Sequence, residues 1–115
     1  MNEIKRYSFG SITVDGQTFE NDLIIYPDRI QAGWWRKEGH RLRVEDLSEV
    51  LSDPPEILVI GQGASGRMEV DPKVLETLRK SRVQVVAEPT SKACDRFNEL
   101  QRQGKRVVAA LHLTC

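Results

Sequence analysis

The chain has 115 residues, and its 17 lysines and arginines are balanced by 17 aspartates and glutamates, so it carries no net charge at pH 7. This length suits one domain over residues 1–115, since a chain of this size buries about 65% of its unfolded surface in one core. The balanced charge provides no field that would attract a polyanion, so neither nucleic acid nor a membrane surface is expected as a partner. Neutrality also favours weak self-association.

The chain begins MNEIKRYSFG, which lacks the apolar centre of a signal peptide, and no apolar run approaches the length of a membrane span. We therefore expect a cytoplasmic protein. Two cysteines, Cys94 and Cys115, are too few for a disulfide framework, and a reducing compartment would keep them as thiols.

The first third of the chain predicts short strands. Apolar and polar residues largely alternate over Ser11 to Val14 and Thr18 to Tyr26, on either side of Asp15-Gly16, which is typical of a tight hairpin turn. A further short strand is predicted from Arg29 to Trp35. The polar stretch from Arg36 to Arg43 predicts a solvated loop.

The ten residues Ile57 to Gly66 read ILVIGQGASG and dominate the second half. Four apolar residues followed by glycines predict a buried strand that opens into a mobile loop. We expect this strand at the centre of a sheet, covered on both faces by other layers.

Helices and strands alternate around this strand. The predicted elements are a helix over Val44 to Ser52, a helix from the cap Asp71-Pro72, a strand over Val83 to Ala87, a helix from the cap Thr90-Ser91 to Gly104, and a strand over Val107 to Leu113. The β-α-β-α-β order from Ile57 implies right-handed crossovers and parallel pairing of at least the first two strands.

A family resemblance follows from these residues. The strand ending in GxG, the segment with Thr90, Phe97-Asn98 and Arg106-Val107, and the closing HLTC resemble the Mth938-like domain family. The upstream Trp35-Arg36 pair is similar to the same family's first half. The resemblance implies an α/β fold of three layers, with a central mixed sheet of five strands, one of them antiparallel. Helices would cover one face, and a β-hairpin plus a helix the other.

The resemblance also bears on function. One branch of the family includes a mitochondrial complex I assembly factor, which implies a protein-binding role, and the family brings no established catalytic residues. Where the family commonly has W-x-W, this chain has Gly33-Trp34-Trp35. Adjacent strand residues point to opposite faces, so one tryptophan is expected in the core and the other on the surface.

Catalytic and cofactor motifs match incompletely. The GQGASG loop differs from a dinucleotide fingerprint because Arg67 to Val70 separate it from the next helix. Gly63 to Arg67 differs from a nucleophile elbow because arginine replaces the last glycine. His112 and Cys115 are not the paired ligands of a structural zinc site, and His112 is expected to be a packed or edge residue. We expect no catalytic residue, cofactor or metal.

Two functional hypotheses remain. The leading one is a non-enzymatic protein-interaction or assembly module, whose candidate interface residues are Trp34, Trp35 and Arg36. The alternative is a binding protein or an enzyme that takes a small molecule or a small anion. Its candidate ligand-binding residues are Gly61, Gly63, Ser65, Arg67, Asn98 and Arg106.

Several polar residues also have a structural interpretation. Thr90 is expected to cap a helix, and Asn98 to bond a neighbouring loop. Together with Asp22, Arg36 and Arg106, they are expected to join the layers of the fold through buried polar contacts, without catalysing a reaction.

Overall fold

The computed structural model describes residues 2–115. They form three layers, and a five-stranded sheet is the middle layer. The strands are β1 (Ile4–Ser8), β2 (Ser11–Val14), β3 (Gln17–Phe19), β4 (Leu23–Ile25), β5 (Ile30–Ala32), β6 (Arg41–Leu42), β7 (Ile57–Gln62), β8 (Glu69–Val70), β9 (Gln84–Glu88) and β10 (Val107–His112). The α-helices are α1 (Ser48–Ser52), α2 (Pro72–Lys80) and α3 (Thr90–Arg102), and a 3-10 turn over Val44–Leu47 leads into α1. Within residues 2–115, no helix is both long and apolar enough to cross a bilayer.

The central sheet has the strand order β5-β4-β10-β7-β9. β10 and β9 pair in parallel with β7, whereas β4 is antiparallel to both of its neighbours. These findings confirm the predicted mixed sheet with one antiparallel strand. The expectation that β7 lies at the centre was wrong by one position, because β10 is the middle strand. All six residues of β10 are buried, so both faces of this strand require a covering layer.

Two apolar cores cover the two faces of the sheet. On one face, α3 and the β1-β2-β3 sheet bury residues such as Ile12 and Phe97. On the other face, α1, α2 and the short β6-β8 pair bury residues such as Trp34, Met68 and Leu78. The arrangement confirms the expected layers, with helices on one side and a hairpin plus a helix on the other.

The hairpin turn lies where the sequence predicts it, but the strands around it differ. Asp15 has a left-handed φ of 53°, and β2 pairs antiparallel with β3. The predicted strand over Thr18 to Tyr26 is divided, because β3 ends at Phe19 and β4 begins at Leu23 in the central sheet. The residues between them turn the chain from one layer to the next.

The starts of α2 and α3 show one prediction confirmed and one wrong. Asp71 caps α2, since its Oδ1 accepts a hydrogen bond of 3.0 Å from the amide of Lys73. Thr90 does not cap α3. It is the first helical residue, Pro89 precedes it, and its buried hydroxyl donates to the carbonyl of His112 at 2.6 Å. That hydroxyl also accepts from the amide of Gly63 at 2.9 Å, so Thr90 ties α3 to two strand ends.

The glycine loop after β7 is closed against the end of the chain. Gly63 has a φ of +95°, and a Cβ placed there would lie 2.6 Å from the carbonyl oxygen of Thr114. The amide of Ala64 donates to that same oxygen at 2.7 Å. Gly63 therefore meets two requirements that only glycine satisfies, a left-handed backbone and close approach of another backbone segment.

Replacing Gly63 with alanine tests this closed contact. We expect the free energy of unfolding to fall by at least about 3 kcal/mol, because left-handed strain adds to a collision with backbone atoms. Gly104→Ala is the matched control, since Gly104 has a φ of +80° but open space at its Cβ position. It should lose only about 1–2 kcal/mol. Equal losses in urea denaturation of the two variants would show that the contact with Thr114 is unimportant.

Candidate functional site

Three polar side chains meet at the end of β10, where an otherwise apolar strand finishes in a histidine. Asp22 precedes β4, Arg36 follows the two tryptophans, and His112 closes β10. One oxygen of Asp22, Oδ2, lies 2.7 Å from Arg36 Nη2 and 2.7 Å from His112 Nδ1. The other, Oδ1, accepts a 2.7 Å hydrogen bond from the amide of Leu113. We call Asp22, Arg36 and His112 the polar cluster.

The polar cluster is enclosed by the fold. The exposed fractions of the Arg36 and His112 side chains are 4% and 6%, and that of Asp22 is 17%. Burial alone would raise the pKa of Asp22. The hydrogen bonds from His112, Leu113 and Arg36 outweigh that effect and lower the pKa, so Asp22 is a carboxylate at neutral pH.

The hydrogen-bond network also indicates the role of His112 Nδ1. The two protons on Arg36 Nη2 have oxygen acceptors in Asp22 and in the carbonyl of Gly39, the latter at 2.9 Å. The Nδ1 proton of His112 then donates to Asp22, and the other ring nitrogen is Nε2. This buried Nε2 has no hydrogen-bond partner within residues 2–115.

The segment Gly33 to Arg36 presents one tryptophan to solvent. Trp34 is 3% exposed, and its Nε1 donates to the carbonyl of Asp46 at 2.9 Å. The Arg36 guanidinium lies over the Trp34 ring, 4.8 Å from its centroid. Between these two buried side chains, Trp35 is 79% exposed. The expected division of the tryptophans between core and surface is confirmed.

A cleft of about 360 Å³ opens beside the polar cluster. Its lining residues are Glu20, Asn21, Asp22, Trp35, Arg36, Gly39, His40, His112, Leu113 and Thr114. The ring of His40 meets that of His112 edge to face at 5.8 Å between centroids, and Cys115 Sγ lies 3.7 Å from His40 Nε2. Within residues 2–115, no three His, Cys, Asp or Glu side chains are placed to hold a metal ion.

The predicted ligand-binding residues do not converge on this cleft. Asn98 accepts from the amide of Ile4 at 2.9 Å and donates to its carbonyl at 2.7 Å, which joins α3 to β1. Arg106 pairs with Asp53 at 2.7 Å beside a different cavity. Asn98 was predicted to bond a neighbouring loop, and it instead bonds the first residue of strand β1.

The glycine loop itself offers few free donors. The amides of Gly63 and Ala64 are used by Thr90 and Thr114, and that of Gly66 donates to the carbonyl of Gly63 at 3.1 Å. Gly61 is buried, whereas Ser65 and Arg67 are exposed. Binding of an anion by this loop stays a prediction, and the loop's internal hydrogen bonds leave it fewer backbone donors than expected.

The predicted interface residues also separate. Trp34 lies in the core and Arg36 in the polar cluster, so of these three residues only Trp35 presents its side chain to a partner. The expectation of a solvated loop from Arg36 to Arg43 was wrong at both ends, because Asp22 draws the Arg36 guanidinium inward and Leu42, in β6, is buried.

Sequence reasoning missed the partner of His112. A histidine that ends a buried apolar strand requires a polar neighbour, and this signal could have pointed to Asp22. Sequence offers no comparable signal for His40, whose contact with His112 depends on the folded path of the loop.

The fold is that of a three-layer α/β protein of the Mth938-like class. The chain belongs to the family described as a protein of unknown function, DUF498/DUF598, whose model matches residues 4–112. The resemblance to Mth938-like domains is thereby confirmed.

Similar proteins support this assignment. The solved structure titled "MT938" has 29% sequence identity, with a TM-score of 0.83 and full coverage of both chains. A Bordetella pertussis protein whose structure is titled a Mth938-like domain shares the fold, with a TM-score of 0.76 and 24% identity over 97% of this chain and 85% of that one. NADH dehydrogenase [ubiquinone] 1 alpha subcomplex assembly factor 3 of Xenopus tropicalis is 31% identical over 112 residues, or 94% of this chain. The match spans 59% of that relative and 62% of its Danio rerio counterpart.

Replacing Asp22 with asparagine should separate charge from packing in the polar cluster. At pH 7 we expect a loss of about 3 kcal/mol in the free energy of unfolding, because Arg36 would be left buried without its counter-charge. Since folding lowers the pKa of Asp22, its ionic stabilisation is present above the unfolded-state pKa of about 3.9 and disappears as pH falls through the folded-state pKa.

The difference in the free energy of unfolding between Asp22→Asn and the unaltered protein should therefore become smaller below about pH 4, as measured by urea denaturation at a series of pH values. Asp28→Asn, at an exposed position, is the control and should change stability by less than about 0.5 kcal/mol. A gap that stays constant from pH 7 to pH 2 would show that the carboxylate charge of Asp22 does not stabilise the fold.

The two thiols should react at very different rates. Burial, and to a smaller extent the nearby charge of Asp95, raises the pKa of Cys94 to about 12, whereas Cys115 is partly exposed beside His40. We expect iodoacetamide at pH 8 to modify Cys115 at least about a hundredfold faster than Cys94, as measured by mass spectrometry. Cys115→Ser should remove the fast reaction, and comparable rates at both thiols would contradict the burial of Cys94.

Proposed function

We propose that this protein is a non-enzymatic protein-interaction module that acts in assembly, and that the edge of the fold around Trp35 is its docking surface. The observation that carries the proposal is the 79% exposure of Trp35 between two buried neighbours. Aromatic anchors dominate the binding energy of protein interfaces, and Trp35 presents such an anchor to solvent.

The backbone around Trp35 is held in place before binding, which favours association. Trp34 is fixed by its hydrogen bond to Asp46, and Arg36 by its bonds to Asp22 and Gly39. With both neighbours held, the Trp35 backbone has little freedom to lose on binding, and the indole brings only two side-chain torsions. This preorganisation lowers the entropic cost of association.

A second exposed aromatic residue lies beside the same chain segment. Phe9 is 65% exposed in the turn between β1 and β2, where the amide of Gly10 donates to the carbonyl of Leu113 at 2.9 Å. Leu113 and Thr114 also line the cleft next to Trp35. Two of the three large apolar side chains that are exposed within residues 2–115 thus border one segment, which favours this edge as an interface.

The relatives supply the assembly part of the proposal. The Xenopus tropicalis and Danio rerio relatives are named as complex I assembly factors. Because the match spans about six tenths of their length, we transfer only the general role of binding another protein. The cytoplasmic location stays a prediction from the sequence.

The proposal is tested by placing a photo-cross-linking amino acid at position 35 or at position 75. Leu75 is the matched control because it is also an exposed large apolar residue, at 45%, but lies on α2. A partner that is cross-linked from position 35 and not from position 75 would then be purified for binding measurements. Trp35→Ala should weaken its binding about thirtyfold, the loss typical of a central interface anchor, while Leu75→Ala leaves it unchanged.

Two results would contradict the proposal. One is equal cross-linking from both positions. The other is an unchanged dissociation constant for Trp35→Ala in a variant whose thermal unfolding matches that of the unaltered protein.

A further inference from the structure

Glu20 is the charged residue of the cleft lining that has no counter-charge within residues 2–115. Asp22 and Arg36 neutralise each other, and the positive charge of Arg36 also faces the ring of Trp34. Exposed Glu20 forms no ion pair with a lysine or arginine of residues 2–115. The charges of the aspartate, glutamate and arginine side chains in the lining sum to one negative charge, and the unpaired carboxylate is that of Glu20.

The carboxylate of Glu20 is a hydrogen-bond acceptor that lines the cleft. Two buried nitrogens beside the cleft, His112 Nε2 and Arg36 Nη1, have no hydrogen-bond partner within residues 2–115. At the rim, the exposed Trp35 ring offers a π face, which attracts cations. An entering anion would instead meet the carboxylate of Glu20, and the buried guanidinium of Arg36 is paired with Asp22 through Nη2 alone.

We infer that the cleft receives an arginine side chain of the partner protein, with its guanidinium stacked on Trp35 and paired with Glu20. Arginine fits better than lysine, because a planar guanidinium can lie on an indole while its edge donates several hydrogen bonds. This inference rests on the proposed function and names the chemistry of the group that the docking surface recognises.

The test uses N-acetyl-arginine methylamide as the probe, with the two tryptophan indole N–H signals followed by NMR. Trp35 reports on the cleft, and the buried indole of Trp34 serves as an internal control. We expect a saturable shift of the Trp35 signal alone. The equivalent derivative of citrulline, which is neutral but similar in shape, should bind about fivefold more weakly or worse.

Glu20→Gln should reduce arginine binding by a similar factor, because it removes the charge and keeps the size of the side chain. The control is Glu99→Gln, an exposed glutamate on α3 that lines a different surface, and it should leave binding unchanged. The inference is overturned if citrulline binds as well as arginine, if Glu20→Gln has no effect, or if N-acetyl-glutamate methylamide binds more tightly than the arginine probe.

Failure of this inference and failure of the proposed function give different results. If the purified partner binds Trp35→Ala more weakly but binds Glu20→Gln normally, the proposed docking surface is correct and the inferred partner arginine is wrong. If both variants bind the partner normally, the docking surface itself is wrong.

Discussion

The carboxylate of Asp22 is the contact on which this edge of the protein depends. It accepts hydrogen bonds from Arg36, His112 and Leu113, and so joins the start of β4, the tryptophan segment and the end of β10. A buried arginine is tolerated only with a close counter-charge, and removing one member of such a pair costs about 3–5 kcal/mol. The polar cluster therefore fixes the path of a segment that has no helix or strand of its own.

The surface features follow from this constraint. Because Arg36 is drawn inward and Trp34 is held in the core, Trp35 has no inward position left to occupy and lies in solvent. The cleft forms where the held segment passes the end of β10. The exposed aromatic residue is thus a geometric consequence of two buried neighbours, and the proposed docking would cover it.

Local patterns predicted much of the fold. The apolar runs of β7 and β10 and the Asp71-Pro72 cap of α2 carry their signals within a few residues. The arrangement of the layers followed from the family resemblance. β1 was missed because only one of its five residues is buried, so the sequence shows no clear alternation there.

The site was harder to predict because its contacts span long distances along the chain. Asp22 and His112 are 90 residues apart, and Arg36 and His112 are 76 apart. The expectation that a site would gather at the carboxyl ends of the parallel strands pointed to the correct edge. The predicted ligand site, however, was the glycine loop. Thr114 closes that loop, and the cleft opens instead on the β4 side of β10.

The central claim, that two buried neighbours hold Trp35 in a fixed position, is tested most directly by the NMR order parameter of the Trp35 backbone amide. We expect a value near 0.85, close to that of the β10 amides and typical of rigid backbone. A value below about 0.6 would show that Trp35 lies on a flexible loop, and would contradict the account of a preorganised docking surface held by Asp22.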